Sequence, residues 1–333
     1  MRVFAIDKAA LSERFAVQFA GASWMVQTDS RQLRHTLELA TVGANVRLDH
    51  SPESALTLSI HVNDADDQRS SKPHFRGQGH IVIATFGGAS VFVFDMLRRH
   101  VSATLPRRDA RNAAFWREMI LPISIGLMGA TIGVLPVHCA SFAFAEDGVL
   151  IAGPSGAGKS SLSAELCQAA GEVEYLADDW TYIGLQGHQL SAHGVGARIK
   201  LLPDAVRHFG ALSGKKPRTS LNGELAYEVQ PETVFAAKVR YQCRPRWLIF
   251  LERVMRQETT FTPLSHEHAR VYLEQSVERL PLLLSEAARR RARVMSAVAD
   301  LPAWKFCCGG SPKQIAAELR EFVSKLQDEE SRT

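Results

Sequence analysis

The stretch Gly148 to Glu165, GVLIAGPSGAGKSSLSAE, constrains this chain more than any other. It holds Gly153-Pro154-Ser155-Gly156-Ala157-Gly158-Lys159-Ser160, a full match to the phosphate-binding pattern G-x-x-x-x-G-K-[ST]. The apolar run Val149 to Ala152 reads as a buried strand entering the loop, and Ser161 to Cys167 as the helix leaving it. Glycines let the backbone turn tightly so that its N–H groups point at an anion, and the helix N-terminus adds positive charge. The residues predicted to hold a nucleotide here are Gly153, Ser155, Gly156, Ala157, Gly158, Lys159, Ser160 and Ser161. Lys159 would reach the β- and γ-phosphates and the Ser160 hydroxyl would hold Mg²⁺, so ATP and Mg²⁺ are the expected cofactors. A Gly-rich turn between strand and helix would explain the glycines, but it does not call for Lys-Ser at the mouth of a helix.

Around this element the chain is long enough, at 333 residues, for two domains or one large one. Hydrophobic residues make up 46%, enough to bury a sizeable core. The formal charge of +4 shows no dense basic stripe, so no nucleic-acid partner is expected. Five cysteines without framework spacing argue for reduced thiols and a cytoplasmic location. Ile120 to Val137 runs eighteen residues without a charge, the lower limit for a membrane span. With Pro122, Pro136 and three glycines it reads instead as a buried core helix, and no membrane partner is expected.

The first hundred or so residues read as a β-rich module: strands at Val3–Ile6, Phe15–Phe19 and Ser23–Gln27, a short helix at Arg31–Thr41, and an alternating strand, ALTLSIHV, ending at Val62. Two β-rich runs, His80–Phe86 and Ser90–Leu97, flank Gly87-Gly88 as a hairpin, and His100–Leu105 adds a strand. The charged break PRRDAR, Pro106 to Arg111, marks the expected boundary between a module at 1–110 and a second domain at 111–333. A helical pattern follows from Asn112 to about Gly133. Beyond the loop come strands at Val173–Asp179, Trp180–Leu185, Arg246–Arg253, Glu258–Leu264 and Ala303–Cys307. Gln189–Lys200 reads as two strand pieces broken by Gly194 and Gly196, and Pro203–Phe209 as a short helix. His266–Arg279, Leu283–Val298 and Pro312–Leu326 have helical period. Leu212 to Asn222, LSGKKPRTSLN, reads as a mobile basic loop with almost no apolar anchor.

Asp178 and Asp179 end a strand just past the loop helix, where a phosphate-loop protein holds the far side of its Mg²⁺. Two adjacent carboxylates permit a division of labour, one serving the metal and the other an acceptor hydroxyl as general base. An Asp-Asp turn in water is the plainer alternative. Arg198 and Lys200 alternate on one strand face and are candidates for phosphate oxygens, with a solvated face as the alternative. Arg253, at the end of WLIFLER, is a weaker candidate of the same kind, and Arg289–Arg293 is either a solvated helix face or a dock for an acidic peptide.

His138 ahead of a hairpin, then GPSGAGKSS, then LADD, resembles the C-terminal catalytic domain of HPr kinase/phosphorylase. RIKLLPDAVRHFG and WLIFLER resemble a looser set of HPr-kinase-related proteins, including those of peptide-modification clusters such as lasso peptides. The resemblance covers about residues 115 to 326. It implies an α/β fold, the kinase core shared with phosphoenolpyruvate carboxykinase with a mixed sheet, here behind a β-rich N-terminal module. By the same resemblance, Asp178 activates the acceptor serine, Asp179 lies near the metal with Ser160, His138 sits beside Asp178, and Lys159 serves catalysis. The family carries Glu-x-Arg-Gly-x-Gly after its two aspartates. Here His193-Gly194-Val195-Gly196-Ala197-Arg198 lacks the glutamate, a metal-side ligand in the family, which weakens the case for phosphorylase activity and for HPr as substrate and leaves both open.

The expectation is thus an ATP-dependent kinase acting on a hydroxyl, most readily Ser or Thr of a protein or peptide, with room for a homo-oligomer. A small-molecule kinase on the same core and a non-catalytic nucleotide-binding regulator are the alternatives. No Asn-Lys-x-Asp motif for guanine and no LSGGQ-like signature is present.

Overall fold

The structure, a computed structural model, describes residues 11–41, 56–65, 72–169, 173–196, 198–219, 223–255, 259–277 and 284–331. The chain folds as two compact units: Met1–Pro136 with Leu221–Glu224 and Arg279–Val294, and Val137–Ser220 with Leu225–Glu278 and Met295–Thr333. Together they are a mixed α/β architecture. The division falls at 136/137. PRRDAR, read as a break, forms the helical turn Arg107–Ala110 inside the first unit.

The first unit is built on a seven-stranded sheet of β1 (Glu13–Phe19), β2 (Ala22–Thr28), β3 (Leu56–Asn63), β4 (His74–Gln78), β5 (Ile81–Phe86), β6 (Ser90–Asp95) and β7 (His100–Pro106), in the order β1-β2-β3-β7-β6-β5-β4. The hairpin read around Gly87-Gly88 is present, with Phe86 opposite Ser90. Two parallel pairs, β2–β3 and β3–β7, interrupt an otherwise antiparallel sheet. The strand expected at Val3–Ile6 lies outside the described residues. The helix Arg31–Ala40 starts on Ser30, whose hydroxyl accepts from the Leu33 N–H.

The long apolar pattern becomes a continuous helical run, Ala113–Phe115, a π-turn Trp116–Ile120, and Leu121–Ile132. Phe115 and Trp116 meet Phe86 and Phe92 edge-on, at 5.3 Å and 6.1 Å between ring centres. Among the described residues no helix is long and apolar enough to cross a membrane.

β8 (Val134–Val137) carries the chain from one unit to the next. The second unit contains β9 (Cys139–Phe144), β10 (Asp147–Ala152), β11 (Glu174–Ala177), β12 (Thr181–Gln186), β13 (Gln189–His193), β17 (Lys238–Val239) and β18 (Gln242–Arg253) in one sheet. Their order runs β17-β11-β9-β10-β18-β13-β12. β19 (Thr260–Leu264) and β20 (Ala303–Cys308) extend it from β18. The sheet is mixed: β10, β18 and β20 are mutually parallel neighbours, while β9–β10, β9–β11, β12–β13 and β19–β20 are antiparallel. A small sheet of β14 (Ile199–Leu201), β15 (Arg218–Thr219) and β16 (Leu225–Val229) stands apart.

The helices Lys159–Gln168 and Pro312–Glu330 bury Leu162, Leu166, Ile315 and Leu319 against Phe142, Ile249 and Phe306. Truncating any one of these leucines should cost about 2–5 kcal/mol. Phe261 is sandwiched between Phe306 and Phe322, with ring centres 4.2 Å and 3.8 Å away. Gln327 ties the last helix to the β9–β10 turn, donating to the Phe144 carbonyl at 3.0 Å. The five cysteines are free.

Two readings of the basic segment change. Pro203–Arg207 is a 3-10 turn, and Leu212 is fully buried, so the segment is anchored at its start. Arg218–Thr219 pairs with β16, while residues 220–222 lie outside the described residues.

Candidate active site

Three parallel strands, β10, β18 and β20, bring their carboxyl ends to one edge, where α/β sheets present their binding crevices. Ala152 is level with Phe250, and Phe250 with Lys305. The turn after β10 is the Gly153–Gly158 loop. A Cβ on Gly153 would stand 2.5 Å from the Leu251 carbonyl oxygen, so only glycine lets the loop leave the sheet this close to β18. Gly156 and Gly158 have φ of 80° and 95°. Gly158 is the N-cap of the helix and offers no side-chain cap, so the first N–H groups of the helix, on Lys159, Ser160 and Ser161, have no intrahelical or capping acceptor. Ser155 and Gly156 are exposed. Ala157 is buried, and its N–H closes the loop on the Pro154 carbonyl at 3.2 Å.

Lys159 is 8% exposed and folds back over the loop, donating to the carbonyls of Gly153 at 2.8 Å and Pro154 at 3.3 Å. Burial lowers its pKa, and Asp178 and Asp179 oppose that shift. A lysine held by two carbonyls can exchange those weak acceptors for phosphate oxygens.

Asp178 follows the buried run Tyr175-Leu176-Ala177 and is itself only 2% exposed. Burial pushes its carboxyl up to about 6; the hydroxyls of Ser163 and Ser160 and the Lys200 backbone draw it back, and Asp179 adds to the rise. Among the described residues its Oδ1 is buried with no donor at bonding geometry, and Oγ of Ser163, though close enough to lower the Asp178 pKa, likewise meets no acceptor at that geometry. A carboxylate oxygen left in this state costs on the order of 1–3 kcal/mol or more, so it needs a reason. Asp179 points outward, with a side chain 53% exposed, and receives His138 Nε2 at 2.8 Å. The protein packed on its inner side takes some water from the carboxyl and would raise its pKa, but His138, Lys200 and Lys159 together hold it below the usual carboxylate value. The His138 backbone N–H donates to the Ser276 carbonyl at 2.6 Å, and the His138 ring lies 5.4 Å from that of Trp180.

This geometry exchanges the neighbours that the family resemblance implies. His138 pairs with Asp179, not with Asp178, and Ser160 lies by Asp178, not by Asp179. The cause is local: adjacent residues at a strand end point to opposite sides, so one carboxylate faces the helix and the next faces out. Arg198 pairs through Nη1 with Glu228 at 3.2 Å and precedes β14 rather than standing in it. Lys200 lies close enough to lower the pKa of Asp179. Of the RRRAR helix, Arg289 and Arg290 pair with Glu286, and Arg290 also donates to the Thr131 carbonyl at 2.7 Å.

In the sequence Ser163 and Trp180 carry no motif of their own, and Gly194 reads only as a break between two strand pieces. Ser163 stands one turn after Ser160 on the same helix face, a spacing visible in KSSLS. Gly194 presses on β11: a Cβ there would stand 2.1 Å from the Leu176 carbonyl oxygen, two residues before Asp178. Among the described residues no three His, Cys, Asp or Glu side chains form a metal cage. Ser160 and Asp178 instead make an oxygen-only pair whose unpartnered Oδ1 fits Mg²⁺, an ion that completes its shell with water and phosphate.

No protein-family model and no curated protein matches the sequence. Among solved structures the chain is similar to the HPr(Ser) kinase/phosphatase from Coxiella burnetii, at 16% identity over 58% of this chain and 98% of that one, with a TM-score of 0.32. A superposition that loose leaves the chemistry to be argued from the side chains themselves.

Proposed function

We propose that the protein is an ATP-dependent phosphotransferase that moves the γ-phosphate to a hydroxyl, that of a Ser or Thr in a protein or peptide. The observation that carries this reading is the buried Asp178 carboxyl, near the Ser160 hydroxyl and with its Oδ1 unpartnered among the described residues, by an uncapped helix that starts with Lys159. Ser160 and Asp178 would hold Mg²⁺, which supplies charge neutralisation across the phosphates. The loop N–H groups and Lys159 bind and orient the polyphosphate. Asp179 is the carboxylate that an acceptor can reach; it accepts the hydroxyl proton at its Oδ atoms while His138 fixes its orientation. Phosphoryl transfer through a loose transition state asks for little basicity, so a carboxylate held ionised suits the task.

An extended acceptor is favoured by the small sheet beside the site. Exposed Leu225 begins β16 and exposed Leu202 follows β14, with Val206 on the adjoining turn, Lys215 and Lys216 on the segment before β15, and Arg218 in β15. Lys200 of the same sheet reaches Asp178 through its backbone. The direct test is transfer of label from γ-labelled ATP to Ser- and Thr-containing peptides, with Asp179→Asn alongside. Transfer that falls on the order of 10²–10⁴-fold in the variant, with nucleotide affinity kept, supports the reading. Binding of ATP without transfer to any hydroxyl acceptor would leave a nucleotide-binding regulator instead.

A further inference from the structure

We infer that Arg253 is a fixed phosphate-binding arm of the nucleotide site, an inference that rests on the nucleotide reading above and adds a residue to it. Arg253 is the last residue of β18, at the same sheet edge as the loop that follows β10. Its Nη2 donates to the Gly310 carbonyl at 2.7 Å. Gly310 lies in the turn between β20 and the closing helix and has a φ of 86°, a conformation that favours glycine. The other arm is turned to the loop: Nη1 lies 3.7 Å from where a Cβ on Gly158 would stand. The guanidinium therefore rests on the N-cap of the phosphate-loop helix with nothing but glycine between them.

Its neighbour Glu252 is taken by Lys305 at 2.8 Å, and among the described residues no carboxylate pairs with Arg253. An exposed arginine usually trades its hydration for a carboxylate or stays mobile. This one is tethered by a carbonyl and leaves its remaining donors beside a helix N-terminus. Pre-ordering of that kind suits an anion with several oxygens, because a planar fork binds two of them at once. It also explains why the loop lysine can stay folded on carbonyls without leaving the site short of positive charge. The chemistry read is that of a di- or triphosphate, not of the base or the sugar.

Calorimetric titration of the full chain with ADP, with a non-hydrolysable ATP analogue and with tripolyphosphate, each with Mg²⁺, tests this. Arg253→Gln is expected to weaken all three by about tenfold or more, and Arg253→Lys to recover part of the loss through charge without the fork. The wild-type salt dependence should flatten in Arg253→Gln. Lys159→Ala is the control for the site itself. If Lys159→Ala weakens binding and Arg253→Gln leaves it within twofold, the inference on Arg253 fails and the nucleotide reading stands. If neither substitution changes affinity, the nucleotide reading fails with it. A melting temperature of Arg253→Gln several degrees below wild type without ligand, with tripolyphosphate binding lost only in step with unfolding, would also overturn the inference by making Arg253 a structural tether.

Discussion

The described residues bury two carboxylates fully, one in each unit, and the two are treated in opposite ways. Asp109, in the first unit, is 2% exposed and receives the Ser90 hydroxyl at 2.6 Å, while its backbone carbonyl accepts from the Trp116 indole at 3.1 Å. Asp178, in the second, is equally buried but leaves Oδ1 without a partner, next to a serine hydroxyl in the same state. The satisfied carboxylate fastens β6 to the helical turn that follows β7. The unsatisfied one stores unfavourable free energy where a cation or a ligand can release it. Burial alone therefore does not mark a functional acid; the role proposed for Asp178 rests on burial together with an open valence beside an uncapped helix.

Substitutions at the two positions should separate these roles, most strongly in activity. Asp178→Asn is expected to lower phosphotransfer by on the order of 10²-fold or more and to raise the Mg²⁺ concentration needed, because an amide is a poor ligand for the ion. Asp109→Asn should leave turnover per folded molecule unchanged. Steady-state rates across a Mg²⁺ series would show it, and equal losses at both positions would erase the distinction.

The second contrast is in pH. The Asp178 carboxyl is raised from 3.8 to about 6 in the fold, so between those values the unfolded chain has lost a proton that the folded chain retains. The unfolded state binds fewer protons there, and stability falls as pH rises through the window, by about 3 kcal/mol at most. Below about pH 4 the penalty vanishes. Mg²⁺-dependent nucleotide binding should run the other way, weakening as pH drops below about 6 because a protonated carboxyl no longer ligates. Binding that is flat from pH 5 to 8 would remove Asp178 from the metal side.

A third and smaller effect concerns Asp109 itself. Asp109→Ala leaves the Ser90 hydroxyl buried without its acceptor, and denaturant melts should show a loss of about 1–3 kcal/mol. Smallest of all is Ser163→Ala. Its hydroxyl meets no acceptor at bonding geometry among the described residues, though it lies near enough to the Asp178 carboxyl to draw its pKa down, so stability should shift by less than about 1 kcal/mol. Removing the hydroxyl also removes a group that lowers the Asp178 pKa, so that pKa should rise further.

The contrast also shows what a sequence can and cannot carry. The loop, the strands on either side of it and the closing helix were legible, because glycine spacing, short apolar runs and a proline near a helix start are local signals. β4 was not: all five of its residues, HFRGQ, are exposed, and its place is set by pairing with β5 rather than by a hydrophobic face. Gln189–Lys200 read as two pieces, but that the second joins a different sheet depends on β16, almost thirty residues on. The same limit separated Asp178 from Asp179. Both stood out as acids at a strand end, yet which one meets Ser160 and which meets His138 is decided by the side of the strand each faces. Leu212 is the converse case, a single apolar residue in a polar run whose burial rests on a core assembled elsewhere in the chain.

Thermal melts of wild type and Asp178→Asn, each with and without Mg²⁺ and a non-hydrolysable ATP analogue at pH 8, test the central claim most directly. Without ligand the variant should be the more stable, since it no longer buries an ionised carboxylate with an unpaired oxygen. With ligand the order should reverse, because only wild type gains the full binding stabilisation. A variant that is already less stable without ligand, or a pair whose order is the same with and without it, would contradict the assignment of Asp178 to the nucleotide–metal site.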